Sequence, residues 1–198
     1  MIWNTSDIPY SEFVRNEQNG IRNETTLFEL LTYIRLAKSN EQDDFIEELL
    51  KILPRTSMQD EYGNIIVKIG TNSPIILFSC HIDMVSYERE ESRQELTIIN
   101  NCYLQSKENN QLGADDGAGI WLMLNMIKSN IPGLYIFHKD EEIGCLGSNY
   151  IMHHKPEALS GIKYAIAFDR GRANSRIKQA RSIPPSLFCL IHCLISMT

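Results

Sequence analysis

"SPIILFSCHIDMV", residues 73–85, is the stretch that decides the fold. Its unbroken apolar run from Ile75 to Phe78 suits a strand covered on both faces, and such strands belong to parallel sheets packed between helices. The run ends on His81 and Asp83, so a sheet of this kind carries polar groups at the carboxyl end of a buried strand.

Outward from this strand the chain alternates in period. "EYGNIIVKIG" (61–70) reads as a strand before it, and "GLYIFHKDEEIG" (133–144) and "KYAIAFDRG" (163–171) as strands after it. "QELTIINNCYLQS" (94–106) is a weaker strand pair. Between them lie helical patterns. "TTLFELLTYIRLAK" (25–38) opens with the Thr26 and Glu29 spacing of a capping box. "NEQDDFIEELLKIL" (40–53) puts Phe45, Leu49, Ile52 and Leu53 on one face before Pro54 stops it. "DGAGIWLMLNMIKSN" (116–130) and "GSNYIMHHK" (147–155) supply two more helices. Strands that alternate with helices predict an α/β three-layer sandwich with a mostly parallel central sheet flanked by helices.

Composition limits the function classes. The 198 residues are 43% hydrophobic, enough for a sizeable core. A formal charge of -6, with no clustered Lys/Arg stripe, argues against a nucleic-acid partner. The five cysteines form an odd set without a paired CxxC framework, which suits a reducing compartment. "MIWNTSDIPYSEF" (1–13) lacks the basic start and apolar run of a signal peptide. The apolar "SLFCLIHCLISM" (186–197) is too short to span a bilayer as a helix. The expectation is a cytoplasmic protein with no membrane partner.

The polar residues fall in register with the expected sheet. His81 and Asp83, Glu141 and Glu142, and Asp169 follow apolar strands, while Asp115 and Asp116 open a helix within "GADDGAG" (113–119). In open α/β sheets ligands collect outside the carboxyl ends of the strands. Adjacent carboxylates at 115 and 116 repel each other and call for a cation. His81 and Asp83 are two apart and share a face, so Asp83 can accept from the imidazole nitrogen that does not face a metal. Of the pair Glu141 and Glu142, one suits metal ligation and its neighbour proton transfer.

Together "HIDMV" (81–85), "LGADDGAGI" (112–120), "DEEIGCLGS" (140–148) and "AFDRG" (167–171) resemble the co-catalytic zinc metallopeptidase clan. That clan includes peptidase T, the acylamino-acid and acetylornithine deacetylases and related aminopeptidases. "DEYGNIIVKIG" (60–70) is also in its style, and the resemblance spans about residues 25–171. It implies two zinc ions. His81 and Asp169 would bind the first, Asp115 would bridge both, and Glu142 would bind the second. Glu141 would be the general base and Asp83 would orient His81. The clan commonly holds the peptide bond after the bridging acid in the cis form, which implies cis at Asp115–Asp116. The implied reaction is hydrolysis of a small peptide or an N-acyl amino acid by metal-activated water. Histidine and carboxylate ligands without a thiolate suit zinc and leave cobalt and manganese as alternatives.

The resemblance also sets the expected organisation. Residues 1–24 form an N-terminal extension, 25–171 part of a zinc-peptidase catalytic domain, and 172–198 a tail unlike the clan. Clan members continue past the position of Asp169 through a lid or dimerisation domain and supply a last histidine to the second zinc. His192 is a weak counterpart for it, His153 and His154 read as surface residues, and His138 has no matching role. The expectation is therefore an amino-, di- or tripeptidase-like hydrolase with an incomplete second metal site and little turnover. An inactive remnant or pseudo-enzyme that keeps at most one metal is the alternative. Apolar surface left uncovered points to a homo-oligomer.

Overall fold

The computed structural model describes residues 26–70, 72–85, 92–100, 103–107 and 111–169. The expected extension at 1–24, the tail at 172–198 and His192 lie outside the described residues.

Two short helices open the described chain. Helix α1 (Leu27–Thr32) starts where Thr26 Oγ1 accepts the amide hydrogen of Glu29, so the capping signal holds. It is shorter than its apolar pattern predicts. After Thr32 the backbone turns extended, because its hydrogen bonds go to other segments: Ile34 N donates to Ser92 O, and Arg35 O accepts from Met84 N. Helix α2 (Asn40–Ile52) is capped by Ser39 and buries Phe45, Ile46 and Leu49.

The strands are β1 (Met58–Gln59), β2 (Ile65–Ile69), β3 (Ile76–His81), β4 (Leu96–Ile99), β5 (Tyr103–Ser106), β6 (Gly133–His138) and β7 (Tyr164–Ala167). Helix α3 (Ala114–Lys128) precedes β6, and helix α4 (Leu146–His154), with a 3-10 turn at Pro156–Leu159, precedes β7. The main sheet has the order β1-β2-β6-β3-β7, and β4 and β5 form a separate hairpin. Its heart, β6-β3-β7, is parallel, with β2 and β1 added antiparallel on one side.

Strand alternation sorts side chains into two cores. Ile65, Val67, Phe78, Cys80, Tyr135 and Phe137 face α1, α2 and α3, where Leu30, Phe45, Leu49, Ile120, Met123 and Ile127 meet them. Ile66, Leu77, Leu134 and Ile136 face the other way, onto Ile151 of α4 and Leu159. This is the three-layer sandwich that the sequence predicts. Burial of each such aliphatic or aromatic side chain contributes about 1.5–3 kcal/mol. No helix among the described residues is long and apolar enough to cross a membrane.

Candidate metal centre

The expected residues all lie at the carboxyl edge of the parallel strands. His81 is the last residue of β3, with His138 of β6 beside it in register. Beyond these strands the ladder persists for one more bond on each side. Ile82 N donates to His138 O at 2.7 Å, and Phe168 N donates to Ser79 O at 2.9 Å. The first carries the chain to Asp83 and the second carries it to Asp169. Glu141 and Glu142 lie in the turn after β6.

Asp115 and Asp116 sit at the start of α3, yet neither is helical: their φ/ψ are -88/107° and -110/36°, and the bond between them is cis. The regular helix begins after them, and Asp116 serves that start. Its Oδ1 accepts Gly119 N at 3.0 Å, and its Oδ2 accepts the backbone amide of His81 at 3.2 Å. A Cβ on Gly119 would fall 2.3 Å from Asp116 Oδ1, so only glycine leaves room for this carboxylate. Asp116 thus locks the turn to β3, while the exposed Asp115 carboxylate reaches His81.

Around His81 the hydrogen bonds fix the ring. Nδ1 lies 3.0 Å from the backbone oxygen of Asp83, an atom that only accepts, so Nδ1 carries hydrogen. Nε2 is the nitrogen that faces the acids, 3.1 Å from Asp115 Oδ1. The clan resemblance implies that Asp83 orients His81 through its carboxylate. That group stands 3.4 Å from Nδ1, and it also takes on a second task. Its Oδ1 accepts Glu141 N and its Oδ2 accepts Glu142 N, both at 2.9 Å.

The donor atoms form two sets, each within 4.8 Å: His81 with Asp115 and Asp169, and His81 with Glu141 and Glu142. Among the described residues no such set holds both Asp115 and Glu142. The charge balance explains what the sets are suited to hold. Burial, joined by the charges of Asp115, Glu141 and Asp83, pushes the Glu142 carboxyl up to about 7 against the pull of His81. Burial also drives Asp116 far above the usual carboxylate range, with Asp169 and Asp115 adding to the effect. For His81 burial acts downward, but hydrogen bonds to Asp115 and Asp83 outweigh it and hold the imidazole well above its ordinary value. Asp83 is lowered because His81 and the two amides overcome its burial. Acids crowded beyond what one imidazolium can balance fit a site for divalent cations.

Two contributors are absent from the sequence reading. Asn64, fully buried, joins both ends of the turn that carries the two glutamates: its Oδ1 accepts Lys139 N at 3.0 Å, and its Nδ2 donates to Gly147 O at 3.1 Å and to Asp60 Oδ2 at 2.7 Å. Nearby, Tyr62 donates its hydroxyl to Asp140 Oδ2 at 2.8 Å. Arg35 is likewise fully buried, behind the centre. The signal for both was a polar residue inside an apolar stretch, "TYIRLA" and "GNIIV".

Residues 64–187 match the profile described as Peptidase family M28. No curated protein matches the chain. Among solved structures it is similar to a tripeptidase from Staphylococcus aureus subsp. aureus Mu50, with 21% identity and a TM-score of 0.56 over 74% of this chain. Aminopeptidase PepT from Bacillus cereus gives 22% and 0.54 over 74%. The match spans 42% of the length of each of these two proteins. TET1 peptidase from Pyrococcus horikoshii gives 17% and 0.54, over 76% of this chain and 70% of that one.

Proposed function

The chain belongs to peptidase family M28, and from that premise we propose that it carries the metal-binding part of a hydrolase of peptide or N-acyl amide bonds. The observation behind this reading is the convergence of His81 and Asp169, from two strand ends, and Asp115, from the start of α3, to within 4.8 Å. In this reading His81 Nε2, Asp115 and Asp169 hold one ion, and Asp115 and Glu142 hold a second. Zinc is the proposed metal, with cobalt and manganese as alternatives. When bound, the ions polarise the scissile carbonyl and acidify an attacking water.

The chain's own groups do the rest. Glu141 takes the proton from the attacking water and delivers it to the leaving amine, a role open to a carboxylate placed beside the ligands. Asp83 keeps Glu141 and Glu142 at one position through their amides and favours hydrogen on Nδ1 of His81, which leaves Nε2 free for metal. Asp116 holds the backbone that presents Asp115. The proposed substrates are small peptides or N-acyl amino acids, the proposed compartment is the cytoplasm, and self-association is expected.

A second reading, a pseudo-enzyme with at most one ion, draws on the separation of Asp115 and Glu142 into different donor sets. Metal content and turnover decide between them. The full chain is loaded with zinc, cobalt or manganese and assayed on unblocked di- and tripeptides and on N-acetyl amino acids, beside Glu141→Gln. Turnover that the variant loses while keeping its metal supports the hydrolase. At most one bound ion without turnover on any substrate supports the pseudo-enzyme, and no bound metal removes the hydrolase.

A further inference from the structure

We propose that Arg35 is a positioning residue of this metal centre: its guanidinium fastens the turn that carries Asp115 to the strand end that carries His81 and sets a fixed positive charge behind Asp83 and Asp116. The inference rests on the metal-binding reading above. A guanidinium stripped of water is costly unless its donors and its charge are both satisfied. Arg35 is 0% exposed. Its Nε donates to Ile82 O and its Nη2 to Gly113 O, both at 2.8 Å, while Nη1 donates to Leu30 O at 3.2 Å and Tyr33 O at 3.1 Å. The Phe45 ring packs on it, with its centroid 5.1 Å from Cζ.

The acceptors explain the role. Ile82 is the residue between His81 and Asp83, and Gly113 lies two residues before Asp115. One rigid, planar group therefore grips the backbone of both ligand-bearing segments and fixes their separation. A lysine ammonium cannot do this, because it is a single point charge on a flexible stem. The "GADDGAG" motif packs against this group. A Cβ on Gly113 or on Gly117 would stand 3.3 Å from Arg35 Nη2, and would also come within 2.9 Å of Met84 Sδ or 2.8 Å of Leu31 Cδ2 respectively. Both glycines thus lie against the guanidinium, with Met84 and Leu31 closer still, and Gly113 is also suited to its left-handed φ of +69°.

The charge has its own partners. Burial brings the Arg35 pKa down to about 10, and Asp116 and Asp83 act against that fall, so the group stays charged at neutral pH. The donors of Arg35 go to backbone carbonyls, while Asp83 and Asp116 accept from the His81, Gly119, Glu141 and Glu142 amides. The cation offsets acids whose oxygens are occupied with holding the centre together.

A core-filling arginine and a positioning arginine respond differently to substitution. Replacement of a buried ion by an apolar side chain of similar size is often neutral or stabilising. Arg35→Met should therefore bind zinc as the wild type does if Arg35 only fills space. Zinc affinity of the full chain is measured by competition with a chromophoric chelator for the wild type, Arg35→Lys and Arg35→Met, with urea unfolding of each. Ile127→Val, in α3 away from the centre, is the control for stability loss alone. Arg35→Met is expected to weaken zinc binding at least tenfold and Arg35→Lys less, since charge returns without the fork, while Ile127→Val stays within twofold. Zinc binding by Arg35→Met within twofold of the wild type overturns the proposal. Should neither variant fold, the wild type still decides. If zinc and Arg35 act on the same two segments, zinc should slow hydrogen exchange at Arg35 Nε more than at the amides of α4, on the opposite face of the sheet. An unchanged rate overturns the proposal. A wild type that binds none of zinc, cobalt and manganese overturns the metal-binding reading and this inference with it, whereas a normal wild type with an indifferent Arg35→Met overturns this inference alone.

Discussion

The carboxylate of Asp83 accepts the backbone amide of Glu142 at 2.9 Å, across 59 positions of sequence. The same carboxylate stands beside the Nδ1 edge of His81. One buried acid thus registers the end of β3 against the turn after β6, and the spacing between His81 and the glutamate pair depends on it.

Asp83→Asn tests that dependence. The amide nitrogen of asparagine would face either the Glu141 or the Glu142 N–H, donor against donor, and one anchor would be lost. Groups that hold metal ligands in this way typically contribute about 10–100-fold to affinity or activity. Zinc affinity should fall by that order while circular dichroism stays native, and an unchanged dissociation constant would show that the carboxylate is dispensable.

His81→Ala should remove the ion assigned to His81, Asp115 and Asp169, lowering the zinc stoichiometry by one in equilibrium dialysis. Stability provides a second readout. Zinc at a hundred times its dissociation constant should stabilise the wild type by about 2.7 kcal/mol, a gain that the variant and a chelator-treated wild type both lack. Equal stabilisation of the variant would place the ion elsewhere.

Asn64→Ala should destabilise the fold through the turn that carries the glutamates. It leaves the Lys139 N–H and the Gly147 carbonyl without their Asn64 partner, and each buried group stripped in this way costs about 1–3 kcal/mol. Urea unfolding checks the sum. Gly147→Ala should be at least as harmful, since a Cβ there would fall 2.2 Å from Asn64 Oδ1 and 2.3 Å from Lys139 O.

Tyr135 gives the alkaline limb of stability. Burial raises its phenol to about 12, and its hydroxyl donates to Ile131 O at 2.7 Å. In the unfolded chain the phenol ionises near pH 10. The folded value is the higher one, so the contribution is complete below about pH 10 and disappears as pH climbs towards 12, at no more than about 1.4 kcal/mol per pH unit. Tyr135→Phe should be less stable at pH 8 by about 1 kcal/mol and should lose part of the alkaline slope. An identical slope in unfolding titrations between pH 9 and 11 would assign the limb to other groups.

The sheet was legible where burial on both faces left no choice of residue, as from Ile75 to Phe78 of "SPIILFSCHIDMV". The acids were legible because they interrupt such runs at their carboxyl ends. Helix α1 was overread because Ile34 and Leu36 fit both a helical and an extended period, and the choice fell to backbone partners at Ser92 and Met84. Arg35 and Asn64 escaped for a related reason. The bonds that give them this role run from Arg35 to carbonyls 47 and 78 positions away and from Asn64 to groups 75 and 83 positions away, so local pattern alone does not reveal it.

The two-sided alternation along β3 makes residue count, as well as residue type, a condition of function. Leu77 faces one core and Phe78 and Cys80 the other, with His81 following at the edge. A single deletion between 76 and 80 would invert every side chain on one side of the lesion and turn the imidazole away from Asp115 and Asp169. One apolar residue along this strand can replace another, but a change of its length by one brings that inversion. Insertions and deletions fit only in the connections, and the number of residues that lead up to His81 matters as much as the histidine itself.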